Sequence, residues 1–92
     1  AIMGLAFKPN IDDLRESPAK YIAQKVLQNS NNETHYIVEP NIKVHNVFKL
    51  TDYISAIEKA DIIAFLVAHD EFKSIKQFEN KIVLDFCGIC ER

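Results

Sequence analysis

Five charged side chains crowd into one short stretch near the start of the chain: Lys8, Asp12, Asp13, Arg15 and Glu16. Before them runs an apolar stretch, Ala1 to Phe7, of the kind that forms a buried strand. After them comes Ser17-Pro18, a helix start with serine as N-cap and proline at the first helical position. The unit reads as strand, charged loop, helix, and ligands of open α/β sheets bind at the carboxyl ends of strands. A lysine just past such a strand can act as a point charge on phosphate. An arginine nearby can grip phosphate or ribose oxygens with its planar fork. The competing reading is a solvated loop whose charges only pair with one another at the surface. Asp12 and Asp13 either orient Arg15 or merely balance it. Glu16 and Ser17 are read as helix-start residues, a carboxylate favoured by the helix dipole and a hydroxyl that satisfies a free amide.

Three other places carry residue types that do chemistry. Glu39 closes a second apolar run, where Rossmann-like units commonly place an acidic residue that holds a ribose hydroxyl. His69-Asp70 follow the most apolar run of the sequence. Cys87 and Cys90 form a CxxC, but a structural zinc site needs four ligands, and His35, His45 and His69 are too scattered to complete one. A redox dithiol is expected at a strand-to-helix turn with a helix after it, which is not the setting of this pair. Two ordinary reduced thiols in a cytosolic protein are the simpler reading.

The elements that must position these groups follow from periodicity. Ala1 to Phe7 is strand one, apolar on both faces. A helix from Ser17 to about Asn29 places Ala19, Ile22, Ala23, Val26 and Leu27 on one stripe. The Asn29-Ser30-Asn31-Asn32 cluster ends it. Thr34 to Val38 is strand two, stopped by Glu39-Pro40-Asn41. Asn41 to Leu50 is either a short edge strand or a loop with an apolar anchor. Thr51 caps a helix reaching Ala60, with Tyr53, Ile54, Ile57 and Ala60 inward. Ile62 to Ala68 is a central strand, a short helix starts at Asp70, and Lys81 to Phe86 is the last strand. The alternation predicts an α/β, Rossmann-like three-layer sandwich. Its mostly parallel five-stranded sheet is expected in the order 3-2-1-4-5, with helices on both faces. That order sets the Lys8 loop, the His69 turn and the Asp85 exit along one rim.

Composition narrows the functional classes. Ninety-two residues suit one domain, 1–92, and a net charge of -2 gives no general attraction to nucleic acid or anionic membrane. No apolar run approaches the length needed to span a bilayer. No secretory signal is read, and a chain that starts inside an apolar strand is expected to be a fragment of a longer protein. Only Gly4 and Gly88 occur, so no GxGxxG follows strand one. Any nucleotide diphosphate bound at this rim would be held by side-chain cations and loop amides.

The stretch Gly4 to Ala19, GLAFKPNIDDLRESPA, resembles the signature of the C-terminal, UDP-binding domain of the UDP-glucose/GDP-mannose dehydrogenase family. It is most similar to the UDP-N-acetyl-D-mannosamine dehydrogenase branch. The likeness continues through Val38-Glu39-Pro40-Asn41-Ile42, Ala60-Asp61-Ile62, Leu66 to Lys73 and Val83-Leu84-Asp85, and so covers nearly the whole chain. The resemblance implies that Phe7 and Lys8 contact a UDP-sugar and that Arg15 reaches NAD bound mainly by an N-terminal domain. It implies a cytoplasmic, homodimeric enzyme that oxidises UDP-N-acetylmannosamine to its uronate in two NAD-dependent steps, for polysaccharide precursor synthesis. The cysteine of that chemistry belongs to a motif this chain lacks, and neither Cys87 nor Cys90 matches it. No catalytic residue and no metal ligand is therefore expected here. Where the family commonly has a basic residue before the glycine that follows the last strand, this sequence has Cys87. Two alternatives stand beside this reading: the UDP-glucose branch of the family, and a non-catalytic α/β module for subunit contact.

Overall fold

A computed structural model of the chain describes residues 1–30, 33–75 and 78–89. The elements in order are β1 (Ile2–Met3), α1 (Pro18–Gln28), β2 (Ile37–Val38), α2 (Tyr53–Lys59), β3 (Ile62–Phe65), α3 (Asp70–Lys73) and β4 (Ile82–Asp85). The strands form one parallel sheet in the order β2-β1-β3-β4. Ile2 lies opposite Ile37 and Ala64, and Met3 opposite Val38 and Phe65.

The expected five-stranded sheet in the order 3-2-1-4-5 is not formed among the described residues. The segment from Asn41 to Leu50 touches β2 through one parallel bridge, Leu50 to Ile37. Its amides are spent locally: His45 Nδ1 accepts from the N–H groups of Val47 and Phe48, at 3.0 and 3.2 Å. Buried Phe48 anchors this loop while Val44 and Val47 stay exposed.

The first strand is also shorter than its apolar run. At Gly4 the backbone takes φ 105 and leaves the ladder, after its N–H has bonded to Val38 O at 2.8 Å. Pro40 follows Glu39 and ends β2, so no backbone carbonyl lies beside Leu5 and Ala6. Their amides go instead to Glu39 Oε1, at 2.8 and 3.1 Å. A side chain thus replaces two rungs of the sheet.

Alternation along the strands separates two cores. Ile2 and Ile37 face α1 and pack with Leu5, Ala23 and Phe48. Met3, Val38, Ile63 and Phe65 face the other way, against Ala56 and Ala60 at α2 and Phe72 of α3. Phe65 and Phe72 are fully buried with ring centroids 5.7 Å apart, each stabilising the fold by about 2–3 kcal/mol. Helices therefore lie on both faces.

Helix starts follow side-chain chemistry. Ser17 caps α1 with Pro18 behind it, as its sequence indicates, and its Oγ accepts from Lys20 N–H at 3.2 Å. The cap of α2 is Asp52 rather than Thr51: its carboxylate accepts from Ser55 N–H at 3.0 Å, whereas Thr51 N–H is taken by Ile37 O. Glu16 lies outside α1, with φ 53, and is no first-turn carboxylate. Lys81 Nζ closes the other end of α2, donating to Ala60 O at 2.6 Å and Glu58 O at 3.1 Å.

One helix cannot cover the α1 face. Four strands spaced about 4.8 Å apart are wider than one helix of about 10 Å. Accordingly Ile62, Ile82 and Leu84, which point to that side beyond Ala64, stay exposed at 48, 59 and 42%. Ile22 and Val26 of the expected stripe lie on the flank of α1 with Tyr21 and Lys25 and are exposed too, and only Ala19, Ala23 and Leu27 meet the core. Ile54, expected inward on α2, is exposed as well. Among the described residues no helix is long and apolar enough to cross a membrane, and no cluster of His, Cys, Asp and Glu could hold a metal ion.

Candidate functional site

The strand order reverses direction between β1 and β3, because the chain passes from β1 to β2 on one side and then returns across β1 to β3. A crevice at the carboxyl ends of two such strands is the usual ligand position of this architecture. A cleft of about 220 Å³ lies there. Phe7 and Pro9 line it from the β1 exit, Pro18 from the start of α1, Val67 and Ala68 from the β3 exit, and Cys87 from the β4 exit. This volume is below the roughly 300–1,000 Å³ of a pocket for a whole drug-sized ligand, so it would house part of one. A larger hollow of about 500 Å³ lies along Tyr21, Lys25 and Val26, on the outer side of α1 and away from the strand ends.

The loop beside the cleft is closed at its base, where Phe7 N–H donates to Asp13 O at 2.9 Å. Leu14 packs against the α1-side core just beyond. Ser17 Oγ ties the helix start back to β1 by donating to Leu5 O at 2.6 Å. Phe7 is half-exposed at 51%, and Lys8 beside it is exposed. Lys8 forms no ion pair among the described residues.

Arg15 is in a different electrostatic position. Its Nε donates to Asp13 Oδ1 and its Nη2 to Asp13 Oδ2, both at 3.0 Å, and its backbone N–H adds a third bond at 2.9 Å. The resulting side-chain and backbone hydrogen bonds from Arg15 hold the Asp13 carboxyl at about 2, below the usual carboxylate range. The guanidinium is 89% exposed, with its remaining donors turned to solvent. Asp13, not Asp12, is thus the residue that orients it. The two cations of the loop are not equivalent: Arg15 is paired with Asp13, and Lys8 has no such partner among the described residues.

Glu39 is not available to a ribose. Its side chain and that of His69 are both 0% exposed. Besides the amides of Leu5 and Ala6, Glu39 Oε1 accepts from His69 Nε2 at 2.9 Å, and its Oε2 accepts from Asn41 N–H at 3.0 Å. Burial raises the carboxyl's proton affinity, but the hydrogen bonds from His69, Leu5 and Asn41 outweigh it and leave the pKa below its ordinary value. His69 Nδ1 faces two donors, Asn10 N–H at 2.8 Å and Asn41 Nδ2 at 3.2 Å. With its acceptor so occupied, the ring carries its proton on Nε2, and the contact with Glu39 is a hydrogen bond from a neutral imidazole. Asn10 Oδ1 in turn accepts from Asp70 N–H at 2.8 Å. The exits of β1, β2 and β3 are joined through this network, buried at Glu39 and His69 and reaching the surface at Asn10. Periodicity shows that Glu39 and His69 end strands, but not that they meet; their shared position at strand ends was the available signal.

At the β4 exit, Asp85 Oδ1 accepts from Cys87 N–H at 3.3 Å and Ile89 N–H at 3.0 Å, and Gly88 turns with φ 78. Cys87 therefore stands at the cleft. Cys90 and the CxxC it completes lie outside the described residues.

Sequence comparison decides the family. The profile of the UDP-glucose/GDP-mannose dehydrogenase family, UDP binding domain, matches residues 1–92. The chain belongs to this family. A UDP-N-acetyl-D-mannosamine dehydrogenase of Salmonella typhi is 50% identical over 97% of the chain, and that of Escherichia coli K12 is 43% identical over the same share. An NDP-N-acetyl-D-galactosaminuronic acid dehydrogenase of Ralstonia nicotianae is 39% identical, also over 97% of the chain. The chain spans less than a quarter of these relatives, 22–23% of their length. No solved structure is matched.

Proposed function

We propose that residues 1–92 form the substrate-nucleotide domain of an NAD-dependent UDP-sugar 6-dehydrogenase, with UDP-N-acetyl-D-mannosamine as the substrate. The names and identities of the relatives above support that choice of sugar. The observation that supports this position for the nucleotide is the contrast between Lys8, exposed beside the cleft and without an ion pair among the described residues, and Arg15, already held by Asp13. Phe7 offers half of an aromatic ring as apolar surface at the rim, and Lys8 offers a point charge for the diphosphate.

NAD is not accommodated by these residues alone. No glycine cradle follows β1, and the α1 start is occupied by the Ser17 cap and by Pro18, which has no N–H. The exposed edge of Arg15, oriented by Asp13, is the group suited to reach a dinucleotide held by another domain. Such a cofactor would accept hydride; this chain would bind, orient and close over the nucleotide.

Titration of the chain with UDP, followed by calorimetry or amide chemical shifts, tests the reading. UDP should bind at the Phe7–Lys8 side of the cleft, and Lys8→Ala should weaken binding by about 1.5–3 kcal/mol, as for a charge-assisted hydrogen bond. Absence of UDP binding, or equal binding by Lys8→Ala, would overturn it.

A further inference from the structure

The Lys8 loop has no regular structure of its own, yet it is fastened at its middle as well as at its base. The base is the Phe7–Asp13 backbone bond. The middle is Asn10, whose N–H goes to His69 Nδ1 and whose side chain receives Asp70 N–H. Asn10 adopts φ 64, a left-handed conformation that asparagine tolerates and that the two bonds hold in place. Lys8 is only two residues from this latch. His69 itself cannot turn, because its Nε2 is fixed to Glu39 and Phe72 lies across its ring at 5.5 Å between centroids. A buried Glu–His pair is an inefficient way to stabilise a core, since an apolar pair of similar volume generally does as well. Its position beneath an exposed, cation-bearing loop gives it another use.

We infer that His69, held by Glu39, is a positioning residue that sets the Lys8 loop for a nucleotide diphosphate, acting through Asn10. This rests on the reading of Lys8 as the phosphate ligand. A loop already fixed in its bound shape loses less conformational freedom when the ligand arrives, so affinity rises without any new contact. Neither His69 nor Glu39 touches the ligand in this arrangement.

Two substitutions separate the ring's two nitrogens. His69→Asn retains an acceptor near Nδ1 for Asn10 and gives up the donor to Glu39. His69→Gln retains a donor that reaches Glu39 and gives up the acceptor for Asn10. We expect His69→Asn to melt lower than the unaltered chain while binding UDP within about threefold of it, and His69→Gln to bind about tenfold more weakly although folded. Hydrogen exchange should agree, with the Asn10 amide protected in the unaltered chain and in His69→Asn but not in His69→Gln. Affinity that simply follows melting temperature in both variants, or UDP binding by His69→Gln equal to the unaltered chain, would overturn the inference. If neither variant folds, Asn10→Gly decides. Glycine accepts φ 64 and keeps the N–H to His69 Nδ1 but loses the Asp70 bond, so UDP affinity should stay within about threefold of the unaltered chain; a tenfold loss would make Asp70, not His69, the residue that sets the loop. Should the unaltered chain bind no UDP, the proposed function fails separately. Asn10 amide exchange in the two His69 variants then decides whether His69 holds the loop.

Discussion

Gly4 lies so close to Val67 that a Cβ on Gly4 would stand 2.7 Å from the Val67 Cβ and 3.0 Å from the Val67 backbone nitrogen. The backbone there also has φ 105, which L side chains rarely adopt. Gly4→Ala should therefore destabilise the chain by about 3 kcal/mol or more, from overpacking together with backbone strain. Chemical denaturation with both proteins at the same pH measures this; a loss below 1 kcal/mol would mean the β1–β3 crossing is looser than described.

Glu39 should shape the acid limb of stability. A carboxyl whose folded pKa is depressed contributes stability that is complete above its unfolded value, roughly 4.3, and is lost as the pH falls through the folded value. Glu39 is of this kind. Glu39→Gln should cost about 2–4 kcal/mol at neutral pH, because an amide cannot accept from all four donors around it. It should also make the fall in stability below pH 4.5 shallower than in the unaltered chain. Urea unfolding from pH 3 to 7 gives both curves, and parallel acid limbs would exclude Glu39 as their source.

Arg15→Lys keeps the charge and removes the planar fork that grips Asp13. If the proposed function holds, it should raise the Michaelis constant of the full-length protein for NAD about three- to tenfold, with the UDP-sugar constant much less affected. Steady-state kinetics with each substrate varied in turn decides this. Loss of UDP binding with NAD saturation unaltered would move Arg15 into the substrate site.

The open half of the sheet gives a prediction about association. Ile62, Ile82 and Leu84 form a continuous apolar strip on the α1 side of β3 and β4, with exposed Phe86 beyond them. Such a strip promotes contact with a second copy of the chain at high concentration. Light scattering should show mass rising with concentration, and Ile82→Lys with Leu84→Lys should suppress the rise while leaving circular dichroism unchanged. A monomer at all concentrations would count against it.

How far the sequence alone reaches differs from residue to residue. The Lys8 loop was legible because its two borders are local signals, an apolar run and a Ser-Pro helix start. The Ser17 cap and the turn at Gly88 were legible for the same reason. The inward stripe of α1 was overdrawn, since periodicity shows which side chains share a helix face but not how much of that face meets a neighbour. Ile22 and Val26 are the result. The length of β1 was misjudged because Glu39, more than thirty residues away, takes the amides of Leu5 and Ala6. The same distance hid the pairing of Glu39 with His69: each residue is locally a strand end, and only the parallel topology makes them neighbours.

That topology also orders events in time. β1 is made first, but it lies between two strands that come later, and Asn10 waits for a partner 59 residues further along the chain. Parallel pairing of this kind requires large loops to close before any contact rewards them, and such folds form slowly. A growing chain that has not yet reached β3 carries the cation-bearing loop with its base bond but nothing to hold its middle. The proposed nucleotide site of this fold is thus completed late, when His69 arrives beneath a loop made long before it.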